Sequence, residues 1–178
     1  MEVTCQFSTA QNKVVHYHAE FAPQGIQLGI TAIDLHAGQV SGQATLTDDI
    51  LHLDHLRGRA ADGTVLTNGN VEFFHNDVGL NLAVDVDHIE LDQLPREWSL
   101  PSEVSGHLTG HADFQTHLED GRPIITGQGQ GKIQDAQVED FSTGPIPLVM
   151  TFDAQGFHFK WPSLEGMLGR KAARRAKE

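Results

Sequence analysis

Apolar and polar residues alternate with a period of two through almost the whole chain, and this feature limits its fold more than any other. The clearest stretch runs from Val104 to Leu118, where small or apolar residues alternate with polar ones that include three histidines. Residues two apart lie on the same face of a β-strand, so this stretch predicts a strand with one apolar and one wet face. At about 3.3 Å per residue it would be roughly 50 Å long, far longer than an ordinary strand.

The same alternation occurs in residues 40–46, 78–86 and 125–133. It slips by one residue between Ile30 and Ile33 and between Val86 and Ile89. A slip that keeps apolar groups on one face predicts a β-bulge, and bulges increase the twist of a sheet. Turn residues separate the runs, and their spacing predicts roughly nine or ten strands joined as hairpins.

One proline-flanked segment, residues 95–101, interrupts the strand pattern. We expect a short helical turn or a loop at a junction between two sets of strands. Trp98 is predicted to pack against the sheet there.

An apolar sheet face must be covered, usually by helices or by a second sheet. Strong helix signals are missing, which leaves a sandwich or a trough whose inner face contacts something other than protein. Aromatic residues are only 7% of the chain, and many buried-side positions are Gly, Ala or Thr, whereas a closed core needs large interdigitating side chains. We therefore predict an all-β fold: a long, twisted, antiparallel sheet forming an open U-shaped groove, with a short basic C-terminal helix or disordered tail.

The charge distribution divides the chain into a body, residues 1–162, and a basic tail, residues 163–178. The tail carries five bases against two acids, while the whole chain has a formal charge of -12. The acidic field would repel phosphate backbones, so no nucleic acid is expected as a partner. The tail could contact anionic lipid headgroups, or it could be a frayed, solvated terminus.

Targeting and redox signals are sparse. No apolar run approaches the roughly 18 residues of a spanning helix, and residues 1–7 lack the pattern of a signal peptide. Cys5 is the only cysteine, which excludes an intramolecular disulfide and a cysteine-rich zinc site.

The eleven histidines raise the question of a metal site. His16, His18 and Glu20 share one strand face, the kind of arrangement that cupins use to chelate a metal, but no third ligand from another strand is identifiable. His107 and His111 would be roughly 13 Å apart on a strand, too far to share an ion. We therefore predict no metal and no cofactor, and interpret these histidines as part of a solvated face.

No catalytic arrangement stands out. Cys5 has no identifiable base, and Ser105 lacks the strand, turn and helix that surround a catalytic serine at a nucleophile elbow. The glycines of residues 127–131 alternate with polar residues along a predicted strand, unlike a phosphate-binding loop. We therefore expect a protein that is not an enzyme.

Three segments resemble the carboxy-terminal region of AsmA-like proteins, which belong with the TamB-like and YhdP-like repeating β-groove, bridge-like lipid-transfer proteins. They are VSGHLTGHADF at residues 104–114, GQGQGKIQDAQV at 127–138 and GPIPL at 144–148. With NGNVEF at 68–73 and the strand at 78–91, the resemblance covers roughly residues 65–148. The chain differs from the family in its short length and in lacking an amino-terminal membrane anchor, which suggests a segment or a diverged short relative.

The resemblance implies an apolar groove along which acyl chains move, a periplasmic or membrane-associated location, and a role in bacterial outer-membrane biogenesis or lipid homeostasis. The implied partner is a phospholipid or another acyl-chain lipid, and open sheet edges could pair with further β-groove segments. The predicted groove lining is Ile26, Leu28, Ile30, Val40, Leu46, Leu80, Leu82, Val84, Val86, Val104, Leu108, Ala112, Phe114, Leu118, Ile125 and Ile133.

Two other functions stay open from the sequence. One is a sugar-binding or metal-dependent β-sandwich of the cupin kind that uses His16 and His18. The other is a structural or assembly module that binds neither lipid nor metal.

Overall fold

A computed structural model describes residues 17–30, 35–74, 77–95, 98, 100, 103–119, 122–138 and 141–161. Within these residues the fold is almost entirely β, as predicted, with one 3₁₀ turn at Leu91–Gln93. The strands are β1 (His18–Phe21), β2 (Ile26–Ile30), β3 (Leu35–Thr47), β4 (Ile50–Ala60), β5 (Gly63–Phe74), β6 (Asp77–Glu90), β7 (Val104–Glu119), β8 (Arg122–Val138), β9 (Phe141–Ser142), β10 (Ile146–Asp153) and β11 (Gly156–Lys160). The predicted long strand is present as the 16 residues of β7.

All eleven strands belong to one antiparallel sheet, and from β3 to β8 each strand pairs with the next strand in sequence. β1 and β2 both pair with β3, one beyond the other along the same edge. β9 and β10 pair with β8 in the same way. No pairing among the described residues joins the first strands to β11, so the sheet is open, in agreement with the predicted groove.

Bulges interrupt four of the long strand pairs, and residues with left-handed backbone lie at each of them. The predicted bulge between Val86 and Ile89 is present, with His88 at φ 54°. His55 takes φ 50° at the register shift between β4 and β5. An extra residue in one strand of a pair increases its twist, so these positions help to explain why the long sheet curls.

A line of glycines on β8 lies beside β7. Gly131 pairs with Gly110 of β7, Gly129 with Ala112, and Gly127 with Phe114. A Cβ atom built on Gly129 would lie 2.6 Å from the backbone oxygen of His111, closer than real Cβ contacts. The missing side chains at these three glycines therefore leave room for the backbone and side chains of β7.

Replacement of Gly129 with alanine is expected to lower the free energy of unfolding by about 1–3 kcal/mol, because the added methyl group forces backbone movement at a close-packed seam. Gly144→Ala is the matched control, since a Cβ there has no heavy atom within 4 Å. Urea denaturation measures both variants. Equal stability of the two would show that the β8 glycines do not govern the curl.

The main hydrophobic core lies at one end of the sheet. Its twelve buried residues come from β4 to β8, β10 and the connection between β6 and β7: Ala60, Val65, Ile89, Leu91, Leu94, Val104, Leu108, Ile133, Ala136, Val138, Ile146 and Leu148. The connection, residues 91–103, covers this end of the concave face with Leu91 and Leu94. Trp98 also packs against the cluster, as predicted.

Candidate functional site: an apolar cavity on the concave face

The concave face of the sheet encloses a cavity of about 220 Å³ next to the core. Rows of paired residues form its floor and walls. One row is Leu82, Phe114, Gly127 and Phe152, and the next is Thr67, Val84, Ala112, Gly129 and Met150. Because β-strand side chains alternate, the residues that line the cavity are largely every second residue of β5 to β8, β10 and β11.

The lining is apolar apart from a few polar residues, and it contains no Asp, Glu, Lys or Arg. It consists of Val65, Thr67, Leu80, Leu82, Val84, Val86, Trp98, Leu108, Gly110, Ala112, Phe114, Ile125, Gly129, Gly131, Leu148, Met150, Phe152, Phe157 and Phe159, together with the paired residues His111 and Gln130, whose side chains lie on the opposite, outer face. Apolar cavities of about 150 Å³ bind small hydrocarbons such as benzene. A cavity of this volume and lining suits one apolar chain or a small apolar ligand.

Aromatic residues form one wall of the cavity. Trp98 lies with its ring centroid 4.2 Å from that of Phe157, and Phe157 is 4.8 Å from Phe152. Phe152 meets Phe114 edge to face at 5.9 Å. These contacts join β7, β10, β11 and the connection between β6 and β7, so the last strand contributes directly to the cavity.

Half of the sixteen predicted lining residues do line this cavity. They are Leu80, Leu82, Val84, Val86, Leu108, Ala112, Phe114 and Ile125. The others lie elsewhere: Val104 and Ile133 are in the sealed core, Val40 is buried near β4, and Leu46 is half-buried on β3. Ile26 and Leu28 are exposed on β2. The side chains of Ile30 and Leu118 lie outside the described residues.

The sequence interpretation missed the aromatic wall and its neighbours. Leu148, Met150 and Phe152 alternate along β10, and Phe157 and Phe159 alternate along β11. This period-two pattern was available in the sequence. A low overall aromatic content does not indicate how the aromatic residues are distributed, and five of the twelve line this cavity.

The outer face of the sheet pairs histidines with carboxylates. His111 Nδ1 lies 2.7 Å from Asp85 Oδ1, and His107 Nε2 lies 3.1 Å from a Glu90 oxygen. His18 contacts Glu20 at 3.3 Å, while His16 lies outside the described residues. No group of three or more possible ligands that could hold a metal occurs within the described ranges.

The pKa of His111 is raised above its ordinary value, mainly by the hydrogen bond to Asp85, with further contributions from the charges of Asp85 and Asp113. The pKa of Asp87 is lowered, first by its hydrogen bond with His88 and then by that with Thr109. The pKa of Asp153 is lowered mainly by the backbone N–H of Gln155 and then by His158. The outer face is therefore a mixed, charged surface that suits contact with water.

Asp85→Asn is expected to lower the pKa of His111 towards its ordinary value of about 6.5, because the variant removes the neighbouring negative charge. A histidine whose pKa is raised by folding stabilises the fold fully at a pH below its pKa in the unfolded chain. This stabilisation is lost as the pH rises through its pKa in the folded protein. NMR titration of the imidazole measures the change. Asp54→Asn, on another part of the same surface, is the control and should leave the His111 titration unchanged.

Comparison of the chain with protein-family models, with curated proteins and with solved structures gives no match. None of the described segments forms a helix long and apolar enough to cross a membrane. The predicted body and tail, residues 1–162 and 163–178, meet where the described residues end, so the predicted tail lies outside them.

Proposed function

We propose that the protein binds the hydrocarbon chain of a lipid in the concave cavity and performs no chemistry on it. The observation that carries this proposal is a cavity of about 220 Å³ whose lining contains no Asp, Glu, Lys or Arg. Apolar surface that the protein leaves uncovered favours an apolar ligand, because removing both surfaces from water is favourable. The polar outer face keeps the remainder of the sheet in water.

The resemblance to AsmA-like proteins supports a more specific form of this proposal, which names the ligand, the process and the location. In that reading the protein is a β-groove segment that binds or transfers phospholipid or another acyl-chain lipid during bacterial outer-membrane biogenesis or lipid homeostasis. The corresponding location is periplasmic or membrane-associated. An open sheet with a continuous apolar concave strip supports this reading, because both features belong to the architecture that the resemblance implies.

The affinity of single-chain ligands is expected to rise with chain length until the cavity is full. Each methylene removed from water contributes about 0.8 kcal/mol, which corresponds to about a fourfold lower Kd. Isothermal titration with a series of neutral alkyl maltosides, each kept below its micelle-forming concentration, measures this slope. Native mass spectrometry of the purified protein should also detect co-purified lipid.

A flat dependence of Kd on chain length would contradict the proposal, since an apolar cavity must distinguish chains that fill it from chains that do not. Free maltose is the control for binding through the headgroup. If free maltose bound as tightly as the alkyl maltosides, the protein would recognise the sugar and not the alkyl chain, as expected of a sugar-binding protein.

A further inference from the structure

The two ends of the concave face differ in side-chain exposure on β5, β6 and β7. At one end, the paired residues Ile89, Leu108, Ile133 and Ile146 are 0–8% exposed. In the rows that contain Leu82 and Val84, the residues of β6 and β7 are only partly buried, whereas Met150 of β10 is 8% exposed. The groove is therefore sealed at one end and becomes more open towards the other.

The seal is the connection between β6 and β7. Leu91 and Leu94 are buried in the core cluster at 7% and 8% exposure. Trp98 follows them and lies both against the cluster and on the lining of the cavity. The ring of Trp98 contacts the ring of Phe157 in a tilted arrangement, which joins this connection to β11. A chain lying in the cavity meets this packed layer and cannot continue past it.

The opposite end has an apolar lip. Phe73 and Val78 form a cross-strand pair, and they share a strand face with Val71 and Leu80, the next pair towards the cavity. Phe73 is 43% exposed and Val78 is 47% exposed. Large apolar side chains therefore continue the cavity lining outwards to the surface, where an incoming hydrocarbon chain would first contact them.

We propose that the groove is a blind pocket that takes one alkyl chain, tail first, through the end marked by Phe73 and Val78. This inference rests on the proposed function and narrows it: the ligand is an amphiphile with a single polar end, and the protein holds one chain as a carrier. A conduit would instead let a chain pass from one end of the groove to the other. The cavity volume agrees, because about 220 Å³ is only moderately larger than the roughly 150 Å³ of an apolar cavity that binds one benzene molecule.

Two probes that differ only at the far end of the chain test the inference. Dodecanol has one hydroxyl, whereas the corresponding dodecane diol has a hydroxyl at each end. A blind pocket must bury one hydroxyl of the diol without a hydrogen-bond partner, which is costly. We expect the diol to bind the wild-type protein at least about tenfold more weakly than dodecanol.

Competition with a fluorescent alkyl probe measures both affinities. Equal affinities would overturn the blind pocket while leaving chain binding intact, since a groove open at both ends keeps both hydroxyls in water. Failure of both ligands to bind would overturn the proposed function and this inference with it.

A second variant tests the position of the seal. Trp98→Ala removes the ring that lies between the cavity and the covering connection, and it should reduce the difference between diol and alcohol to less than about threefold. Trp161→Ala is the matched control, because Trp161 packs against the same core but does not line the cavity. If Trp98→Ala folds and prefers dodecanol over the diol as strongly as the wild type does, Trp98 does not close the end of the pocket. If the variant does not fold, the comparison of the two ligands on the wild-type protein still decides the proposal.

Discussion

Replacement of Leu82 with aspartate is expected to weaken binding of a dodecyl chain at least about a hundredfold. Leu82 lines the cavity in the row that also contains Phe114 and Phe152. The variant loses the burial of a leucine side chain, worth about 1.5–3 kcal/mol, and it places a carboxylate where a hydrocarbon would remove its water. Isothermal titration with dodecyl maltoside measures the loss.

Asn81→Asp is the matched control for this prediction. It adds the same charge at the adjacent residue, which is exposed and lies on the outer face of β6. Its affinity for dodecyl maltoside should stay within about twofold of wild type, while circular dichroism confirms that both variants are folded. If the two variants bind equally well, the chain does not occupy the concave cavity.

Ile133→Ala is expected to lower the free energy of unfolding by about 2–5 kcal/mol, the range for truncating a large aliphatic side chain in a packed core. Ile133 is 0% exposed and pairs with Leu108 on one side and Ile146 on the other. The surrounding strands cannot collapse onto the lost volume without disturbing the register of β7, β8 and β10. Urea denaturation measures the change.

The control for Ile133→Ala is Val149→Ala, because Val149 lies on the outer face of β10 at 52% exposure. Its effect should stay within about 0.5 kcal/mol. A loss below about 1 kcal/mol for Ile133→Ala would show that the sealed end of the groove does not hold the sheet together. The predictions for Leu82→Asp and Ile133→Ala thus assign different roles to the two parts of the concave face. The sealed end stabilises the fold, and the open part binds the ligand.

The alternation of residues was sufficient to predict the strands and the two faces of the sheet. β7 follows the predicted strand from Val104, with its apolar residues turned inwards and its histidines outwards. The bulge near His88 was visible as a slip in the pattern, because burial requires apolar residues to stay on one face. These features are local, and local sequence determines them.

The alternation did not predict which segments of the chain cover each part of the apolar face. Val104 and Ile133 belong to the apolar strip, as predicted, but they are buried in one cluster with Leu91 and Leu94 of the β6–β7 connection, and so they belong to the core and not to the cavity. That arrangement depends on where one connection crosses a sheet of eleven strands. Alternation identifies the face of a residue and carries no information about distant segments that pack upon it.

The cavity wall formed by β10 and β11 depends on long-range geometry as well. Phe152 pairs with Gly127 and with Phe157, and it reaches Phe114 across Gly127, which has no side chain between the two rings. The curvature of a sheet accumulates over many residue pairs and bulges. Half of the predicted lining residues were therefore found in the cavity, while the aromatic wall opposite them was not foreseen.

Paramagnetic broadening in methyl NMR spectra tests most directly whether a lipid chain occupies the concave cavity. A single-chain maltoside that carries a nitroxide near the chain terminus is added to the protein with labelled Leu and Val methyl groups. We expect the strongest broadening at Val86 and Leu148, which line the cavity, and little at Val149 on the outer face. Equal broadening at Val149, or none at Val86 and Leu148, would contradict the account.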